Sequence, residues 1–136
     1  MEFNGAKVAI IFEEKLLMQL RDNTQGLFNA NMWDFPGGGR KGDESPVECA
    51  IRETQEEFGI ILNKYSFVWE KEYPAQKDPK QKAYFLVAEV SKEDIESIRF
   101  GSEGQGWRLM DYETFFEKED VIPALKIRLE DYLAEK

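Results

Sequence analysis

A chain of 136 residues, 42% apolar and 33% charged, is long enough for one packed domain over residues 1–136 and too apolar to stay disordered. Its net charge of −9 argues against a general nucleic-acid or anionic-membrane binder, because the sequence-independent part of such binding comes from surplus Lys and Arg. The lack of histidine and the single cysteine exclude Ser-His and Cys-His catalysis, disulfides and cysteine-rich zinc sites, leaving carboxylates to carry any chemistry. No apolar run approaches the roughly 20 residues of a membrane span, and the short one over residues 8–12 ends at Glu13-Glu14, unlike a secretory signal. The cytoplasm is the expected location, and a monomer or a homodimer the expected state.

In chain order, residues 7–12 and 16–21 are apolar segments separated by Glu13-Glu14-Lys15 and read as adjacent strands. Arg21 closes the second, beside an Asn-rich loop long enough to border a site. Residues 32–35 form a short strand leading into Pro36 and three glycines, which permit close backbone approach. Trp33 and Phe35 have two readings, stacking on a ligand base or packing in the core. Strand position favours the core for both, and Phe35 is retained as the stacking candidate.

Ser45, Pro46 and Glu48 spell an N-cap, a first-turn proline and a capping-box partner, and Gly59 is suited to a left-handed C-cap, so a helix is expected from Pro46 to about Phe58. At about 100° per residue, Val47, Ala50, Ile51, Thr54 and Phe58 share a core-facing stripe. Glu53, Glu56 and Glu57 fall together on another face, where neighbours lie about 5–6 Å apart. Repulsion disfavours this cluster, and its last-turn position opposes the helix dipole. Arg52, one helical turn after Glu48 and before Glu56, offsets part of the repulsion, but one cation cannot neutralise these four acids, whereas a divalent metal would. Carboxylate oxygens suit hard cations such as Mg²⁺, with Mn²⁺ as the alternative. Cys49, on the same helix, reads as a semi-buried structural thiol.

Residues 65–73 and 82–90 read as strands joined by a two-proline loop. Lys77, Lys80 and Lys82 make this the densest basic patch, read either as a solvated loop or as a means of steering a polyphosphate. Ser91 caps a short helix through Ile98, and glycines at 101, 104 and 106 mark a loop carrying Glu103. A strand over 105–110, a short helix over 112–117 and a longer one over 121–133 follow, the last with Leu125, Leu129, Tyr132 and Leu133 as its apolar stripe. Strands with helices before, between and after them predict an α/β fold, a three-layer α/β/α sandwich around a mixed sheet.

The run Gly38, Glu44, Arg52-Glu53-Thr54-Gln55-Glu56-Glu57-Phe58-Gly59-Ile60 resembles the Nudix box, departing from it only at Thr54, where an aliphatic residue is usual. The resemblance implies the Nudix fold and a Mg²⁺-dependent hydrolase acting on a small-molecule nucleotide, a nucleoside diphosphate linked to another group. Glu53, Glu56, Glu57 and the Gly38 carbonyl would hold metal, with Glu53 alternatively the general base. Arg52 and Glu44 would form an orienting pair. It further implies a phosphate contact for Arg21, otherwise a surface charge beside Asp22, and a catalytic or metal-binding role for Glu103. Trp33-Asp34-Phe35-Pro36-Gly37-Gly38 and Glu103-Gly104-Gln105 look MutT-like, implying cleavage of a nucleoside triphosphate to monophosphate and pyrophosphate. Against this, the segment around Lys118-Glu119-Asp120-Val121 lacks the asparagine that MutT uses there to recognise a modified purine. The segment around Lys80 and Lys82, with Tyr84, also resembles diadenosine polyphosphate and RNA 5′-end pyrophosphohydrolases, in which lysines grip a polyphosphate. A binding module of the same fold without turnover is the remaining alternative.

Overall fold

The computed structural model describes residues 2–136 and contains seven strands and four helices. Strands β1 (Gly5–Phe12) and β2 (Lys15–Leu20) are joined by a tight turn in which Glu13 and Glu14 adopt positive φ. They pair only near that turn, at Ile11↔Leu16 and Phe12↔Lys15. Beyond it they splay, and residues 33–39 fill the gap. β3 (Trp33–Asp34) pairs with the far end of β2, and β4 (Gly37–Gly39) with the start of β1. The glycine run that follows the short strand is therefore itself a strand. A side chain at Gly37 would put its Cβ 2.1 Å from the Ala6 carbonyl, so backbone-to-backbone closeness dictates glycine there.

The other edge of β1 pairs in parallel with β6 (Lys82–Glu89), which pairs antiparallel with the edge strand β5 (Phe67–Pro74). The outer edge of β2 pairs with β7 (Gly106–Asp111). The mixed sheet expected from sequence is thus present.

Alternation along the buried strands divides two cores. Val8 and Ile10 of β1, with Leu86 and Ala88 of β6, meet Cys49, Ala50 and Phe58 of α1 (Pro46–Phe58) on one face. Ala9, Ile11, Phe85 and Val87 meet Phe115 of α3 (Tyr112–Glu117) and Leu125 and Leu129 of α4 (Pro123–Glu135) on the other. This is the expected three-layer sandwich. A short α2 (Lys92–Glu96) links β6 to the loop before β7.

The local signals around α1 all hold. Ser45 accepts from the Glu48 N–H, Glu48 accepts from the Ser45 N–H, and Gly59 closes the helix at φ 72° with its N–H on the Gln55 carbonyl. At the C-terminal end, Val121 and Ile122 precede the helix instead of opening it, because Val121 bridges to Trp33 and Pro123 takes the first helical turn.

Candidate active site

The box helix presents its carboxylates at the mouth of the β1–β2 splay. Glu53, Glu56 and Glu57 line one cavity together with Gly101, Ser102 and Glu103. Glu103 comes from the loop before β7 and has no partner among the described residues, so the structure brings together all four acids singled out from sequence. Glu57 and Glu103 also border a second hollow, with Gln19 and Arg21.

These carboxylates are not equivalent. Arg52 makes a bidentate pair with Glu44, at 2.6 and 3.0 Å, and donates to the Gly39 carbonyl at 2.7 Å, tying the glycine strand to the helix. Its remaining nitrogen reaches Glu53 at 3.0 Å and Glu56 at 3.1 Å. The Glu44 guanidinium partner holds that carboxyl below the usual range. Glu57 instead turns inward and accepts the Gly37 N–H at 2.9 Å. Burial pushes its carboxyl up to about 7, against the pull of Lys7, the Gly37 N–H and the Gln19 side chain.

The fit to a divalent cation can be judged from the donors. Among the described residues no three acidic or cysteine side chains already surround one point, since Arg52 spans Glu53 and Glu56. The donor set is nonetheless all oxygen, carries surplus negative charge and includes one carboxyl whose burial favours a cationic partner. The Gly38 backbone lies against this set. A Cβ there would fall 2.7 Å from the Glu53 carboxyl, so only glycine leaves that approach open. The residues therefore suit a hard cation. Cys49 lies behind this strand, its Sγ 3.6 Å from the Gly38 carbonyl, and burial pushes its thiol up to about 11, consistent with a structural thiol.

Gly38 and Gly39 also border a cleft of about 240 Å³, whose wall includes Lys7, Arg21, Asp34 and Arg128. Arg21 pairs not with Asp22 but with Asp34, at 3.4 Å, and its Nε donates to the Phe28 carbonyl. Lys7 donates to the same Asp34 oxygen at 2.9 Å. Asp34 is 1% exposed, and its other oxygen is buried without a partner. Lys7, Asp34 and Arg128 went unremarked as site residues. The signal for two of them was a cation placed where the pattern demands an apolar residue: Lys7 inside a buried strand, and Arg128 three residues after Leu125 on the core stripe of α4.

Two expectations need correction. Phe35 presents no face to a ligand: it is fully buried, its ring stacked on Phe115 at 5.3 Å and tilted against Phe85. The segment that carries it pairs through β3 and β4, which points residue 35 into the core. Of the basic loop, only Lys77 reaches the cleft. Lys80, in the loop before β6, and Lys82, the first residue of β6, border a separate hollow beyond Asn4, where Lys82 lies 3.6 Å from Glu72.

Comparison with known proteins fits this geometry. The family model for the NUDIX domain matches residues 3–131. The chain is 36% identical over 109 residues to the asymmetrical bis(5′-nucleosyl)-tetraphosphatase of Rattus norvegicus, covering 73% of each. It is 41% identical over 64 residues to the 8-oxo-dGTP diphosphatase of Buchnera aphidicola, covering 47% of this chain and 51% of that one. Among solved structures, the MutT protein of Methanosarcina mazei Go1 superposes with a TM-score of 0.73 at 20% identity, over 98% of this chain and 95% of that one. At that identity the superposition speaks to the fold alone.

Proposed function

Since the chain belongs to the Nudix family of hydrolases, which generally use divalent metal ions, we propose that it is a Mg²⁺-dependent pyrophosphohydrolase cleaving nucleoside triphosphates to monophosphate and pyrophosphate. The observation that carries this reading is the shared cavity of Glu53, Glu56, Glu57 and Glu103, set beside a cleft of nucleoside size lined by cations.

Glu53, Glu56 and Glu57, with the Gly38 carbonyl, would hold the metal. When bound, Mg²⁺ neutralises charge on the phosphoryl oxygens and lowers the pKa of a coordinated water. The chain's own residues do the rest. Arg52 fixes the Glu44 loop and the Gly39 carbonyl against the helix, so the ligands start from defined positions. Arg21 and Lys7 line the path between acids and cleft, where phosphate oxygens of an incoming nucleotide find N–H donors in an otherwise anionic protein. Glu103 stands exposed at the cavity rim, and its carboxylate would take a proton from the attacking water. A phosphorus–oxygen bond forms to that water, the bridging anhydride bond breaks and pyrophosphate leaves.

A second reading has its own support. The tetraphosphatase relative aligns with more of this chain than the diphosphatase does, and Lys77 stands at the cleft margin, where a longer polyphosphate would emerge. Against it, Lys80 and Lys82 face another hollow. Incubating nucleoside triphosphates and diadenosine tetraphosphate with the protein and Mg²⁺, with products resolved by chromatography, separates the two. Pyrophosphate released chiefly from triphosphates is the expected result; ATP released preferentially from the dinucleotide transfers the assignment to the second reading.

A further inference from the structure

Charge in the cleft is lopsided. Its wall carries four cationic side chains, Lys7, Arg21, Lys77 and Arg128, against one carboxylate, Asp34. Asp34 presents little to a ligand: one oxygen already receives Lys7 and Arg21, and the other is buried away from solvent. The Gln76 side-chain carbonyl is likewise engaged, by Asn29 at 3.2 Å. A ligand entering here therefore meets N–H groups in search of acceptors.

Arg128 is the one buried cation of this set. It projects from the core stripe of α4 and is 4% exposed. One nitrogen donates to the Pro74 carbonyl at 3.0 Å, and the guanidinium lies 4.9 Å from the Tyr73 ring centre. It forms no ion pair among the described residues. A guanidinium has five N–H donors in a rigid planar fork, so most of its capacity is left over, at the wall of the cleft. The Tyr73 ring face and the longer-range pull of Asp34 offset part of the cost of burying this cation. With one hydrogen-bond acceptor, however, most of its N–H groups stay unsatisfied unless something else completes the shell.

Ala75 and Ala83 line the same cleft, so part of its wall is apolar. Such a surface suits the edge of an aromatic ring better than a phosphate, whose bulky hydration the alanines cannot replace. The phosphates also have their place already, beside the carboxylates and Gly38. A guanidinium fork matches two adjacent acceptors on a purine edge, the keto oxygen at position 6 and the neighbouring ring nitrogen.

We propose that Arg128 is a specificity-determining residue that reads the keto edge of the substrate's base, so that the cleft accepts a 6-oxopurine and rejects a 6-aminopurine. The rejected purine would set its exocyclic amine donor-to-donor against the guanidinium. This deepens the nucleotide reading above and rests on it.

Inosine and adenosine nucleotides differ only at position 6 and in the proton on the adjacent N1, which makes them the probes. The wild-type protein is expected to hydrolyse inosine triphosphate with kcat/KM about tenfold or more above that for ATP. Arg128→Met, which removes every donor, is expected to bring the ratio near one. Arg128→Gln, whose amide pairs with an aminopurine edge, is expected to turn it toward ATP. A merely structural arginine moves melting temperature and all substrates together and leaves the ratio where it was, and that result overturns the proposal. So does a wild-type protein that treats the two nucleotides alike, which requires no variant to fold. Calorimetric binding of inosine and adenosine monophosphates repeats the comparison without turnover. If no triphosphate is cleaved, yet the inosine preference is present and vanishes in Arg128→Met, the hydrolase reading falls and the base-reading site stands.

Discussion

The acidic face of α1 and the cationic wall of the cleft are both charge clusters, yet they are built in opposite ways. The first comes from one helix. Its members lie within five residues, and Glu56 is about half exposed, so water screens much of the repulsion and Arg52 absorbs part of the rest. The second gathers cations from β1, the end of β2, α4 and the loop before β6, and two of them, Lys7 and Arg21, meet on an acid that is almost wholly buried. A screened cluster can remain frustrated without unfolding the domain, whereas a buried one must be satisfied for the domain to fold. Neutralising a charge should therefore separate function from stability on α1 and join them at the cleft.

The sharpest test of that contrast lies on the helix. Glu53→Gln, Glu56→Gln and Glu57→Gln are each expected to lower kcat by about 10²-fold or more, since loss of metal-assisted charge stabilisation is worth several kcal/mol. Melting temperature is expected to hold or rise for Glu53→Gln and Glu56→Gln, because each removes one like charge from a crowded turn. It is expected to hold for Glu57→Gln, whose carboxyl is already pushed up to about 7 by burial and whose amide oxygen can still accept the Gly37 N–H. Turnover with Mg²⁺, measured beside thermal unfolding, decides it. Full turnover in all three variants places the chemistry elsewhere, and a collapse in melting temperature shows the cluster to be structural.

At the cleft the expectation inverts. Lys7→Met leaves the buried Asp34 carboxylate with Arg21 alone, at 3.4 Å, and with one oxygen still unpartnered. Exposing that deficit is expected to lower stability by about 1–3 kcal/mol, read as a drop in denaturant midpoint with unchanged slope. An unchanged midpoint would mean that Arg21 swings in to replace the lysine, and that the wall is as adaptable as the helix face.

The same contrast explains what could be read from sequence. The ends of α1 follow from Ser45, Pro46, Glu48 and Gly59, whose hydrogen bonds reach no more than four residues along the chain, and α3 is bounded as expected. The acid cluster was legible because helical spacing alone brings its members together. β4 was not, because three glycines have little strand preference and their pairing with residues 5–7 is decided by the splay of β1 from β2. The Lys7–Asp34 pair spans 27 positions, and the placement of Arg128 depends on how α4 settles on the sheet. Neither contact has a local signature beyond a cation on an apolar stripe. Phe35 was carried as a stacking candidate because a strand aromatic does not reveal which core it enters.

Thr54 tests the boundary between these regions with the smallest expected effect. It stands on α1 where the family uses an aliphatic residue, and it faces the core, fully buried, with its hydroxyl unpartnered. A buried hydroxyl without an acceptor forfeits its hydration and gains nothing in return. Thr54→Val keeps the branched shape and replaces the hydroxyl with a methyl group, so stability is expected to rise by about 1 kcal/mol, a shift of about 3 °C in melting temperature. Turnover should stay level, because the Thr54 side chain is buried in the core and does not line the cavity of the carboxylates. A gain in stability accompanied by lost turnover would mean that the buried side of α1 helps to set the positions of Glu53 and Glu57. The helix face would then be less independent of the core than its solvent screening suggests.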